Sequence, residues 1–208
     1  MRKGKCALAL AALAGLLFMQ SCETLDPMTR ALMTLRRLQF KLEGVRDFSL
    51  LGIKFSGKSS VTDFSAEEGV KLFQGFGSKG LPAEVTLDIL VQNPNDGTAG
   101  STKTMMTLTS LESRLLIDGT PTVSGDIDSP IEIPGTGQAT TVPLRMSIDL
   151  YEFFGQQGYE KILGPALDIG GKQKNVARIA LDAQPRVSTE YGEVIYPGRI
   201  TIMSKAFR

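Results

Sequence analysis

The sequence predicts a mainly β chain whose short antiparallel strands close into a sandwich or a barrel. From Leu38 onward, apolar residues recur with a period of two, as they do in strands that turn one face to a core. Turn-forming clusters such as Asn93-Pro94-Asn95-Asp96-Gly97 and Asp118-Gly119-Thr120-Pro121 cut these runs into short pieces. The chain also lacks the regular strand–helix alternation that marks a parallel sheet.

Leu38, Phe40 and Leu42 alternate with Gln39, Lys41 and Glu43 and open the first strand. The clearest strand is Ala83 to Gln92, with Val85, Leu87, Ile89 and Val91 on one face, stopped by the Asn93-Pro94-Asn95 turn. Leu115 to Asp126 reads as two strands around Asp118-Gly119. Val142, Leu144, Met146, Ile148 and Leu150 alternate after a loop from Pro134 to Gln138, and Ala177, Ile179, Leu181 and Ala183 form another run. Gly198 to Phe207 closes the chain.

Two segments break the pattern. Ser65-Ala66-Glu67-Glu68 matches a capping box, so a helix is expected over Ala66 to Gln74. Tyr151 to Leu163 is the second helical candidate, weakened by Gly155 and Gly158. Both are expected to plug open ends of the sheet structure.

The first 22 residues have a different character. Arg2, Lys3 and Lys5 precede an apolar run from Ala7 to Met19, and Gln20-Ser21 lead into Cys22. Thirteen residues rise only about 20 Å as helix, short of a bilayer core of about 30 Å, so a spanning anchor fails on length. The arrangement resembles a bacterial lipoprotein signal. Met19 and Gln20 depart from its usual box, while Ser21 fits. The expected organisation is a signal peptide over 1–21, a membrane tether over 22–37 that begins at an acylated Cys22, and a single domain over 38–208. Glu23 is not the aspartate associated with inner-membrane retention in enteric bacteria, which points to the outer membrane.

Loss of residues 1–21 removes three of 23 basic residues and no acidic ones, leaving 20 against 22 and a net charge of −2. That balance provides no basic footprint for nucleic acid. Cys6 leaves with the signal and lipid would block Cys22, so the domain has no thiol pair for an internal disulfide. The chain contains no histidine, which removes the commonest metal ligand and general base.

Three motifs carry chemical letters in the wrong setting. Gly52-Ile-Lys-Phe-Ser-Gly57-Lys58-Ser59 satisfies a phosphate-loop pattern but does not open directly into a helix. Gly75-Phe-Gly77-Ser-Lys-Gly80 satisfies a dinucleotide fingerprint with helix and strand reversed. Asp126, Asp128 and Glu132 lack the spacing of a calcium loop. No partner acid is evident for Glu190 and Glu193. No catalytic residue, cofactor, nucleotide or metal is assigned.

Tyr151, Phe153, Phe154 and Tyr159 read first as core. Their alternative reading is an amphiphile entrance across the mouth of the sheets, which requires an apolar cavity of at least about 300 Å³.

The run from Phe40 to Ile202 resembles the late embryogenesis abundant type 2 family, the water stress and hypersensitive response domain. Leu42-Glu-Gly-Val45 with Phe48 to Phe55, then Val85 to Val91 entering Asn93-Pro94-Asn95, carry the match. Asp118-Gly119, the Gly125 strand, Ile133-Pro134 with its glycine-rich loop and Val142-Pro-Leu144 follow in family order, and Ile195-Tyr-Pro-Gly198 fits less specifically. The resemblance implies a fibronectin- or immunoglobulin-like antiparallel β-sandwich with one or two short helices and no accepted active site, in a family associated with desiccation and stress. Asn93, Pro94 and Asn95 carry over as structural turn residues only. The helical insert at Ala66 to Gln74 and the lipoprotein signal mark a membrane-attached bacterial version. The expected function is a non-catalytic, lipid-anchored binding or stress-protective module that meets an envelope protein. The alternative is a periplasmic carrier of a lipid or other amphiphile.

Overall fold

Strand pairing gathers the alternating runs into two antiparallel sheets that face each other. The computed structural model describes residues 27–205 and Phe207. Its strands are β1 (Gln39–Leu50), β2 (Ile53–Lys54), β3 (Pro82–Gln92), β4 (Met106–Ile117), β5 (Thr120–Gly125), β6 (Ile131–Ile133), β7 (Ala139–Asp149), β8 (Ile179–Thr189), β9 (Gly192–Ile195) and β10 (Ile200–Ile202). The first sheet has the order β2-β1-β3-β7. The second has β10-β8-β4-β5, with β6 also on β4 and β9 also on β8. Leu87, Ile89 and Val91 of β3 are fully buried, as are Leu108 and Leu111 of β4, Val142 and Leu144 of β7, and Leu181 and Val187 of β8. The period of two read from the sequence is therefore a sandwich core filled from both sheets.

Local chemistry sets the irregularities. β3 and β7 pair without a slip from Pro82↔Asp149 to Gln92↔Ala139. β1 slips twice against β3, between Leu42 and Gly44 and between Arg46 and Ser49, and Asp47 takes φ +55° in the second bulge. The β4–β5 turn has positive φ at both Asp118 and Gly119, the mirror-image turn whose twist suits a two-residue hairpin. The edge of β8 is shared by β9 and β10, which break opposite Gln184 and Pro185. Proline has no amide to donate there, and its carbonyl accepts from the Tyr196 amide at 2.9 Å.

There are four α-helices among the described residues: α1 (Pro27–Leu35), α2 (Ala66–Gly77), α3 (Leu150–Phe154) and α4 (Glu160–Gly170). α2 begins at the expected capping box. Ser65 Oγ accepts from the Glu68 amide at 3.2 Å and Glu68 Oε2 accepts from the Ser65 amide at 2.8 Å. The helix runs to Gly77, beyond the expected Gln74. The helix expected over Tyr151 to Leu163 is instead two. α3 passes into a 3-10 turn at Gly155–Gln157, Gly158 takes φ +92°, and α4 continues seven residues beyond Leu163 to Gly170. The glycines cause the break: Gly158 occupies a region L-residues avoid, and a Cβ on Gly155 would meet the Tyr151 ring at 2.8 Å. β8 starts at Ile179 rather than Ala177, because Asn175 caps a 3-10 turn over Val176–Arg178.

The segment whose Met28, Leu32 and Leu35 spacing suggests a short helix or tether is a helix from Pro27. Ala31 and Leu35 have no exposed surface, and Leu38 only 4 %. Their spacing of four and three places one side of α1 and the following turn against the sandwich. The signal and Cys22 lie outside the described residues. No helix among the described residues is long and apolar enough to cross a membrane.

Candidate functional site

The aromatic segment after β7 is held by its first residue. Asp149 caps α3, its Oδ1 accepting from the amides of Tyr151 and Leu81, both at 2.9 Å. Tyr151 and Tyr159 meet on a common partner. Both pack edge-on against Phe76 of α2, with ring centroids 5.4 and 5.6 Å away, a geometry that favours aromatic pairs. Desolvation raises the Tyr159 phenol above its ordinary value. Phe154 points inward and is 8 % exposed. Phe153 lies tilted against it at 6.5 Å.

Beneath Phe154 is an apolar cleft bounded by Phe48, Leu150, Ile162, Ala166 and Ile169, with Ile117 and Asp118 at one side. Its volume is about 30 Å³, the share of liquid held by about one water. In this conformation it does not hold an acyl chain. α4 closes it tightly: Gly170 lies so close to Phe48 that a Cβ would collide with the ring. Arg178 binds the same corner from outside. Its Nε donates to Asp118 at 2.9 Å and its Nη1 to Asp168 of α4 at 2.7 Å, and the Asp118 hydrogen bond raises the guanidinium further above its ordinary pKa.

The Asn93-Pro94-Asn95 turn lies at the opposite end and is more than a turn. Asn93 is fully buried. Its Nδ2 donates to the carbonyls of Thr104 and Ile133 at 2.8 and 3.1 Å, and its Oδ1 accepts from the amide and side chain of Asn95 at 3.1 and 2.8 Å. Asn95 also donates to the Thr34 carbonyl of α1 at 3.2 Å. A Cβ on Gly135 would collide with the Asn95 and Thr104 carbonyls, so the glycine-rich loop before β7 must approach bare. The node joins α1, the β3–β4 loop and β6 without leaving a buried side-chain polar atom unpaired among the described residues.

In the phosphate-loop pattern, the amides of Ser59 and Ser60 donate to Asp63 Oδ2 at 2.6 and 3.0 Å. Lys58 pairs with Glu68 at 2.8 Å and lies 4.5 Å from the Phe64 ring centroid. Asp63 thus takes up the amides at the end of the pattern. The dinucleotide pattern ends α2, with Gly75 packed against Leu51 and Leu81. Asp126 accepts from Ser110 Oγ and the Leu111 amide at 2.6 and 2.5 Å, Asp128 pairs with Arg145 at 3.3 Å, and Glu193 with Arg186 at 3.8 Å. No group of three His, Cys, Asp or Glu poised for a metal occurs among the described residues.

The sequence reading did not single out Phe76, Thr34 or Arg178. The Leu72–Phe76 spacing of four on the capped helix was the available signal for Phe76. Thr34 and Arg178 act through partners 61 and 60 residues away, and local pattern carries no trace of them.

No protein-family model matches the chain, and no curated protein matches it. Among solved structures, a protein from Archaeoglobus fulgidus known by its crystal structure is similar at a TM-score of 0.28 and 12 % identity, over 60 % of this chain and 87 % of that one.

Proposed function

We propose that this chain is an exported bacterial lipoprotein, acylated on Cys22, whose β-sandwich is a non-catalytic binding or stress-protective module of the cell envelope. The observation that carries the reading is the N-terminal order: a basic start, thirteen apolar residues and Ser21-Cys22, with a packed helix beginning only five residues later at Pro27. Two or more acyl chains hold a protein firmly to a membrane, so no spanning helix is needed. The outer membrane, facing the periplasm or cell surface, is the proposed location, and an envelope protein the proposed partner. The relation to the late embryogenesis abundant type 2 family stays a proposal resting on the motifs above.

The non-catalytic reading is supported by how the polar groups are used. Of the two carboxylates weighed for acid–base chemistry, Glu193 pairs with Arg186 and Glu190 hydrogen-bonds Tyr191, and the chain has no histidine. The amphiphile carrier through Tyr151, Phe153, Phe154 and Tyr159 would need α4 to swing from Phe48 to enlarge a cleft of about 30 Å³, so it ranks second.

Metabolic labelling with an alkyne fatty acid, with intact mass of the membrane fraction, tests the anchor. The expected result is label and acyl mass on the full chain and neither on Cys22→Ala. An unlabelled full chain that still fractionates with membranes overturns it. Lipid extraction of the purified protein tests the carrier, which predicts a bound amphiphile beyond the covalent acyl groups.

A further inference from the structure

We propose that the outward face of α1 is a docking surface for anionic lipid headgroups, which sets the sandwich end-on to the membrane with the Asn93 node near the bilayer and α2 away from it. The inference rests on the Cys22 anchor and deepens it. Its first support is reach. Four residues lie between Cys22 and Pro27, and a fully extended chain over those five steps spans at most about 18 Å. An acyl group at Cys22 therefore keeps the start of α1 within about two Debye lengths of the headgroups.

The second support is the face itself. Arg30, Met33 and Arg37 follow at spacings of three and four and are all exposed, opposite the buried Ala31 and Leu35. Met33 is 54 % exposed. From Pro27 to Leu42 the chain carries Arg30, Arg36, Arg37 and Lys41 and no acid. Arg30, Arg36 and Arg37, like Arg114 of β4, form no ion pair with any described residue, whereas Arg46, Arg145, Arg178, Arg186 and Arg199 are paired. Unpaired cations flanking an apolar side chain on one helical face suit an interface of anionic headgroups and acyl carbonyls. Tyr191 lines the groove beside Arg30, Met33 and Arg37 and hydrogen-bonds Glu190, so Glu190 is the described acid at the margin of this face; Glu23 and Asp26 precede the helix in sequence.

Rigidity is the third support. Asn95 ties α1 to the β3–β4 loop, so docking the helix orients the whole sandwich. The twelve residues of β1 then carry the chain from α1 to the α2 end, a span of about 35 Å or more. Phe73 of α2, 74 % exposed, provides the distal reference.

The test uses the full chain purified from membranes and reconstituted into vesicles of phosphatidylethanolamine and phosphatidylglycerol. Met33→Cys and Phe73→Cys variants carry a fluorophore, and headgroup-spin-labelled lipid is the quencher. The expected result is quenching at 33 at least about threefold stronger than at 73. In the Arg30→Glu, Arg37→Glu double variant the ratio falls towards one, while intact mass shows the acyl groups still present and the melting curve shows an intact fold. Equal quenching at both positions in acylated protein overturns the proposal, as does a charge-reversal variant that keeps the ratio. Unacylated mass overturns the anchor alone if the chain still binds anionic vesicles with charge-dependent quenching at 33, and overturns both if it does not bind.

Discussion

The side-chain amide of Asn95 donates to the main-chain carbonyl of Thr34 at 3.2 Å, joining the end of β3 to the last turn of α1. Helix ends leave carbonyls without intrahelical partners; this one accepts from the Arg37 amide at 3.3 Å and from a residue that Asn93 holds in place. Removing Asn93 strips the Thr104 and Ile133 carbonyls of a buried donor. Asn93→Ala is expected to cost about 2–4 kcal/mol, read as a lower urea midpoint at unchanged slope. Asn95→Ala should cost about 1–2 kcal/mol and speed hydrogen exchange in α1 more than in β3.

Gly170 and Phe48 make a second specific contact, in which a Cβ has no room. Gly170→Ala should destabilise by about 1–3 kcal/mol, the usual cost of overpacking. Made in a Phe48→Leu background the same change should cost less, and a double-mutant cycle measures the difference. Equal costs in both backgrounds would remove the ring as the cause.

Glu68 gives the fold an acid-sensitive point. Hydrogen bonding from Lys58, and next from the Ser65 amide, holds its carboxyl below the usual value near 4.5. A folded-state pKa below the unfolded one stabilises above the unfolded pKa and is lost as pH falls through the folded value. Unfolding midpoints should therefore drop below about pH 4.5, and less steeply in Glu68→Gln. Ser65→Ala removes the reciprocal cap and should cost about 1 kcal/mol at neutral pH.

Arg178 links the β4–β5 turn to α4 through Asp118 and Asp168. All three are partly exposed, so the net contribution is small, at most about 1 kcal/mol. Arg178→Ala should lower the melting temperature in dilute buffer by an amount that shrinks in 1 M salt, where the Debye length is about 3 Å. Hydrogen exchange should rise first in α4, which keeps its apolar packing and the Asn175 amide bond to the Asp168 carbonyl.

How much of this was legible beforehand depended on the range of the interaction. The alternation in β3 and β7, the Ser65–Glu68 box and the Asp118-Gly119 turn are each decided within a few residues, by side-chain direction, one cap and two positive φ angles. The aromatic cluster was legible as composition but not as geometry. Phe76 enters it from another helix, and whether Phe154 lines a cavity depends on how closely α4 approaches Phe48.

The sequence alone determined the mainly β character, the positions of most strands, the capped helix and the expectation of an anchor at Cys22, because these rest on local pattern and covalent order. Strand period by itself left sandwich and barrel open, and the two sheets are the sandwich that the resemblance implied; tertiary structure alone buried Asn93 as a hydrogen-bonding hub and reduced the cleft to about 30 Å³. It also docked against the sandwich the segment that the sequence offered as a short helix or tether, since Leu35 becomes buried and Thr34 gains the Asn95 donor only when residues 61 positions apart come together.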